Sequence, residues 1–363
     1  MIQTLLSGMH RGGRSPMNRH KALLRSLAAA TALTLGCAQA QESMVVVGYG
    51  GAGQKAQEAA FFQPFEKTSG ARLVQSEYNG EMARIQVMVD TGHADWDVVQ
   101  IEGPDLARNC DSGMFEPLDW KRLGGDSSLI PNAAKSCGSA ALVWGVAIAY
   151  DADKLKTAPN GWQDFWDLRK YPGKRGLRKR AVYNLEFALI ADGVPLADVY
   201  KVLSTPAGVD RAFAKLDRIK PSVQWWEAGA QPAQWLASGD VVMTTSYTGR
   251  IADAHQGGRN LALVWPGSLY GMDYWAIIKH SGHVDLANRF IAFANQSKPQ
   301  LDYVKRISYG PTNKETAANL PKQLSQWIPT SPENLAVSLA IDDEFWADHG
   351  EELEERFTAW AAQ

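Results

Sequence analysis

Short apolar runs alternate along this chain with stretches whose apolar residues recur at helical spacing. Met44-Val45-Val46-Val47 reads as a buried strand that ends in Gly48-Tyr49-Gly50-Gly51-Ala52-Gly53. Ala56, Ala59, Ala60, Phe62 and Phe65 then recur on one face of a helix that stops at Gly70. A strand over 71–76, an amphipathic helix over 81–90 and a third strand, Asp97-Val98-Val99-Gln100-Ile101, come next. That β-α-β-α-β order predicts an open parallel sheet flanked by helices on both faces. Residues 141–150 form a longer uninterrupted apolar segment, suited to a strand that crosses between two domains. A second α/β run follows: helices over 185–191, 208–216 and 231–237, with strands over 223–226 and 241–245. The strand over 261–265 is expected to break at Pro266-Gly267 and to re-enter an apolar run through Ile277. Helices over 284–294 and 343–360 close the pattern, with no repeat and no low-complexity linker.

At 363 residues the chain is too long for one comfortable core, so two domains are expected. The first 40 residues carry a different signal. After Met17 come basic Asn18-Arg19-His20-Lys21, an apolar run over 27–35, and Ala38-Gln39-Ala40. This is the pattern of a secretory signal peptide, too short to span a membrane as a helix. Met17 is the better initiator, and cleavage is expected after Ala40. Thr34-Leu35-Gly36-Cys37 departs from a lipoprotein box at Thr34, where Leu is wanted, so a lipid anchor on Cys37 is not the expectation. Without residues 1–40 the chain carries 32 Lys+Arg against 39 Asp+Glu, a net charge near −7. That balance argues against a nucleic-acid partner. Cys110 and Cys137 remain, and two cysteines in an oxidising compartment predict one structural disulfide.

The most informative acid is Asp273, flanked by Tyr270, Met272, Tyr274 and Trp275. A carboxylate among aromatic faces suits an organic ammonium, because the acid takes the charge and ring quadrupoles attract its other sides. It also suits an acid at a loop-to-strand junction among ordinary core aromatics. A literal G-x-G-x-x-G (Gly48, Gly50, Gly53) follows a strand and precedes a helix, and Glu77 ends the next strand. It supports an alternative reading, an exported nucleotide-dependent oxidoreductase. Export in the unfolded state to a space poor in nicotinamide cofactors argues against it. Any ligand resting on a helix N-terminus wants the same bare backbone. His280 and His283 form the only close His pair and have no acid at ligand spacing, so no metal site is expected. No cofactor is expected, and no nucleophile signature points to catalysis. Trp225-Trp226 and Trp235 could stack on a ligand, although a core role suits at least one of the tandem pair.

Several stretches together resemble the periplasmic solute-binding proteins of ABC importers, in particular the spermidine/putrescine-binding group. They are 61–70 (FFQPFEKTSG), Trp96-Asp97-Val98-Val99, 144–150 (WGVAIAY), Val264-Trp265-Pro266 with Met272-Asp273, and Tyr309-Gly310-Pro311-Thr312-Asn313. The resemblance covers nearly all of the chain beyond residue 40. It implies a two-lobed periplasmic-binding-protein fold of type II, each lobe a mixed open α/β sheet, with the ligand in the interlobe cleft. The implied lobes are 44–147 with 274–311, and 148–273 with 312–363. The implied partners are a small cationic or zwitterionic amine and an inner-membrane ABC permease; the protein itself is expected to be a non-catalytic monomer. Carried over by position, the family's key acid is Asp273 and its late Tyr is Tyr309. Where the family has an aromatic just before Met-Asp this chain has Gly271, with Tyr270 and Tyr274 as substitutes. The first loop keeps Tyr49 beside Gly50. The acidic pair expected near 178–183 is replaced by Arg178-Lys179-Arg180-Ala181-Val182-Tyr183, so Arg180 and Tyr183 become candidates of a different chemistry. With Arg178, Arg180 or Arg250 across the cleft and Tyr247 beside it, the expected ligand is either a polyamine such as putrescine or spermidine or a zwitterion such as 4-aminobutyrate. The segment 174–180 also reads as a solvated basic face.

Overall fold

The computed structural model describes residues 41–363, so the expected signal peptide lies outside the described residues. Among the described residues nine strands form one sheet in the order β2-β1-β3-β8-β4-β7-β5-β6, with β9 paired to β8. They are β1 (Ser43–Gly48), β2 (Arg72–Glu77), β3 (Val98–Glu102), β4 (Ser139–Asp151), β5 (Arg175–Arg178), β6 (Val223–Trp226), β7 (Met243–Tyr247), β8 (Leu261–Ile277) and β9 (Leu339–Ala340). β1 pairs in parallel with β2 and β3, as the alternating pattern predicts. β5 pairs in parallel with both β6 and β7. Between these two halves run β4 and β8, of 13 and 17 residues and antiparallel to each other. Strands that long serve both ends of the molecule.

The expected break at Pro266-Gly267 is a bulge rather than an end. Val146 pairs with Leu269 and Ile148 with Val264, so residues 265–268 stand opposite Ala147 alone. Gly267, at φ 76°, takes the left-handed turn within this excursion. β8 therefore continues through Asp273, which lies mid-strand and not at a loop junction.

Separate apolar clusters fill the two halves. Phe61, Phe62, Trp275 and Phe290 pack on one face of the β1–β3 half, and Val99, Ile101, Leu106 and Tyr274 on the other. Trp162, Phe187, Leu216, Trp346 and Phe357 make the core of the β5–β7 half. Asp97 of the Trp-Asp-Val-Val strand ties the first half together: it accepts from Val45 N at 2.7 Å and from Ser281 Oγ at 2.6 Å. Near the chain end Gly310 exchanges two backbone hydrogen bonds with Val143 of β4, at 2.7 and 2.9 Å. The chain thus passes along the same crossing a third time.

Cys110 and Cys137 form the expected disulfide, 27 residues apart in sequence. It joins the helix Gly103–Asp111 to the segment that enters β4. Cys110→Ser is expected to lower stability by roughly 2–4 kcal/mol through the freed unfolded chain. Denaturant titration measures this, and an unchanged midpoint would refute it.

Candidate ligand-binding site

The central strands alternate their side chains, and one set lines a cavity of about 430 Å³. Asp273 of β8 stands directly opposite Glu102 of β3 and Leu142 of β4. All three residues line the cavity, together with Gln100, Trp144, Tyr49, Tyr183, Tyr247 and Tyr309. Gly50 to Gln54 border it at the start of the helix Gly51–Gln57. Gly50 has φ 71°, a conformation that disfavours a side chain, and a Cβ on it would stand 2.6 Å from the Glu77 carboxylate. The Gly50 N–H is itself taken by Gln54 Oε1 at 2.9 Å, so the loop borders the cavity without offering that donor to a ligand.

Asp273 is 8% exposed. Its Oδ2 accepts from Gln100 Nε2 at 2.6 Å and its Oδ1 from Trp144 Nε1 at 3.0 Å. Gln100 is itself held by Gln57, whose Nε2 donates to its Oε1 at 2.9 Å. Burial, and next the Glu102 charge, push the Asp273 carboxyl up to about 7, against the two hydrogen bonds that favour its ionised form. The site therefore holds a carboxylate short of positive charge. Tyr49 stacks on Tyr78 with centroids 5.1 Å apart and forms one aromatic wall. Trp144 meets Tyr183 and Tyr247 edge to face, at 5.9 and 6.1 Å, and forms the other.

Position 271 has no room for a side chain while Trp144 stands where it does. Gly271 is the cross-strand partner of Trp144, and a Cβ on it would come within 2.4 Å of the indole ring. Trp144 fills from β4 the space that an aromatic at 271 would fill from β8.

Of the ten residues expected at the site, Asp273, Tyr49, Gly50, Tyr183, Tyr247, Arg250 and Tyr309 line one cavity. Tyr270, Tyr274 and Arg180 are not among its lining residues. Tyr274 is fully buried on the opposite face of β8, where its hydroxyl meets Asn132 O at 3.0 Å and Asp343 Oδ2 at 3.2 Å. Tyr270 shares that face by strand alternation. Arg180 pairs with Glu354 of the C-terminal helix at 3.2 Å. The rest of the basic segment divides by role. Arg175 is buried and donates to the Phe165, Asp167, Tyr171 and Gly173 carbonyls. Arg178 stands behind the cavity wall and donates to the Tyr183 and Tyr247 hydroxyls, with its guanidinium over Trp226. Lys179 is exposed beside Glu227. Trp226 is thus a core residue, and Trp225 packs on Phe357 and Trp360.

Tyr183 sits at φ 80°, in a kink that interrupts the start of the helix Ala181–Ala191. A bulky residue held there stores strain, and the Arg178 and Trp144 contacts hold it. Arg250, in the first turn of the helix Thr248–Gln256, is exposed toward the cavity and forms no ion pair among the described residues. Burial raises the Tyr309 hydroxyl to about 12; the Asp273 charge adds to this and the Arg250 charge opposes it. Acid and guanidinium thus both act on one side chain.

Gln100, Glu102, Leu142 and Trp144 were missed from sequence. The rule that ligands gather at the carboxyl ends of parallel strands points to Gln100 and Glu102, which end β3. His283 Nδ1 lies 3.1 Å from Asp97, and no cluster of three metal-ligating side chains occurs among the described residues. No described helix is long and apolar enough to cross a membrane.

A central pair of long strands between two α/β halves, with a polar and aromatic cavity at their junction, defines a binding protein that closes on a small solute. The chain belongs to the bacterial extracellular solute-binding protein family, whose model matches residues 60–335. It is 55% identical over 327 residues to the gamma-aminobutyric acid-binding protein of Pseudomonas aeruginosa PAO1, covering 90% of this chain and 93% of that one. Among solved structures it resembles the Atu4243-GABA receptor, with TM-score 0.80 and 29% identity over 89% of this chain and 98% of that one. It also resembles MotA from A. tumefaciens B6 in complex with glucopine, with TM-score 0.75 and 30% identity over 88% and 99%. These neighbours share the two-lobed architecture.

Proposed function

We propose that this chain is the periplasmic solute-binding subunit of an ABC importer and that its solute is a short ω-amino acid of the 4-aminobutyrate class. The observation that carries the reading is a single cavity lined by the buried carboxylate of Asp273 and by Arg250, a guanidinium that forms no ion pair among the described residues, with Asp253 one turn along its helix feeling its charge. One end suits an ammonium and the other a carboxylate through charge-assisted bonds. The kinship to a gamma-aminobutyric acid-binding protein supports it. A diamine such as putrescine would set its second cation toward Arg250, where like charges repel. In this reading residues 1–40 direct export, and the lobes are 44–147 with 274–311 and 148–273 with 312–363. The division of the apolar clusters supports that arrangement.

A thermal-shift screen over 4-aminobutyrate, other amino acids, putrescine, spermidine and NAD(P) tests it. At a hundredfold excess over Kd a true ligand adds about 2.7 kcal/mol. 4-Aminobutyrate is expected to stabilise, and stabilisation by NAD(P) alone would restore the oxidoreductase reading. Arg250→Ala is expected to weaken 4-aminobutyrate about tenfold or more and to spare putrescine. Equal loss for both ligands would count against the zwitterion.

A further inference from the structure

Glu102 stands beside the acid already assigned, yet the reading above leaves it without a task. As the direct cross-strand partner of Asp273 it projects from the same face, within the span of a facing pair. It lines the cavity and is open to solvent through the mouth. It accepts no hydrogen bond from the described residues, whereas Asp273 accepts two. Arg178 and Arg180 act on it from the far side, Asp105 from its own half, and Tyr49 and Tyr183 feel its charge from both walls. The carboxylate is therefore central, accessible and free of hydrogen bonds from the described residues. Each Asp273 oxygen still has a free lone pair, because Trp144 and Gln100 take one apiece.

We propose that Glu102 contacts the ligand directly and, with Asp273, clamps an ammonium that bears N–H hydrogens between two carboxylates, so the site selects primary amines over fully methylated ones. This rests on the reading that the amine end of an ω-amino acid lies at Asp273. An ammonium offers three donors, enough to reach both acids at once. A trimethylammonium carries the same charge and offers none. The tyrosines and Trp144 around the cavity could by themselves accept a quaternary cation on ring faces. The acceptor sites left free on the acid pair are what discriminate against it. Two facing carboxylates with no cation between them repel, and the ligand's charge relieves that repulsion as it binds.

The test compares 4-aminobutyrate with 4-(trimethylammonio)butanoate by calorimetric titration, on the wild-type chain and on Glu102→Gln. The substitution keeps shape at an exposed side chain, and a ligand-free melt confirms the fold. The wild type is expected to bind 4-aminobutyrate about tenfold or more tightly than its trimethyl analogue. Glu102→Gln is expected to lose about tenfold for 4-aminobutyrate and less than about threefold for the analogue. Equal loss for both would make Glu102 an interlobe partner of Arg178 or Arg180 and overturn the clamp, as would no loss. Wild-type preference for the analogue would make the site an aromatic cage and overturn it too. Failure of the wild type to bind either compound would overturn the ω-amino acid reading itself, and the clamp with it.

Discussion

Asp273→Asn is expected to abolish binding of 4-aminobutyrate while the fold persists, and to raise ligand-free stability at pH 8. Removing one partner of a desolvated, hydrogen-bonded charge pair costs about 2–5 kcal/mol, or roughly 30-fold to several thousandfold in affinity. The amide remains well accommodated. Its oxygen can still accept from Trp144 Nε1, and Gln100 and Gln57 can turn their amides over so that the new donor meets Gln100 Oε1. The Gln57 oxygen, which lacks a partner when Asp273 is present, then gains one. The stability effect follows from the raised carboxyl. Its folded value near 7 lies above the ordinary 3.8, so the folded state binds the proton more tightly than the unfolded chain. The acid then costs little below about pH 4, and the cost grows as pH rises through 7. The melting point of Asp273→Asn should match the wild type at pH 4 and exceed it at pH 8 without ligand. A variant that binds normally would remove the acid from the ligand site. One that melts lower at pH 8 would mean that the ionised carboxylate is structurally stabilised.

The fold was legible where burial imposes a period. The β1–β3 run, with its apolar strands and its helix ending at Gly70, follows from residues that must reach one core or the other. The continuity of β8 was not legible, because Pro266-Gly267 normally ends a strand and only the four-against-one bulge opposite Ala147 keeps it going. That misreading of local structure carried into the site. Tyr270 and Tyr274 read as neighbours of Asp273 by sequence, but an unbroken strand sends adjacent side chains to opposite faces. Glu102 and Trp144 meet Asp273 only through pairing with β3 and β4, a contact between residues more than a hundred positions apart. The basic segment showed its composition but not its roles. Arg175, buried among carbonyls, and Arg178, behind the tyrosines, differ only in which side of β5 they leave.

The pairing of Trp144 with Gly271 makes the site dependent on one aromatic slot that either strand could fill. Gly271→Phe alone is expected to be severely damaging. Its ring would claim the space of the indole, whose atoms already lie 2.4–2.9 Å from where a Cβ would stand. Trp144 would have to swing out, losing its bond to Asp273 and its edge contacts with Tyr183 and Tyr247. Overpacking of this kind costs about 1–3 kcal/mol in stability or more, and the displaced donor weakens the ligand acid besides. Trp144→Gly alone is expected to fail for the opposite reason: emptying a half-buried indole slot costs roughly 3 kcal/mol and releases Tyr183 from its strained kink. Combined, the two changes return an aromatic ring to the slot from β8 with a glycine facing it on β4. The double variant should therefore recover most of the lost melting temperature, with a coupling energy of about 1–3 kcal/mol between positions in contact. Recovery of 4-aminobutyrate affinity should be partial only, since Phe restores the wall and not the N–H that Trp144 gives to Asp273. Additive losses in the double variant would show that the two positions do not share one space. Full recovery of affinity would show that the indole donor contributes nothing to binding.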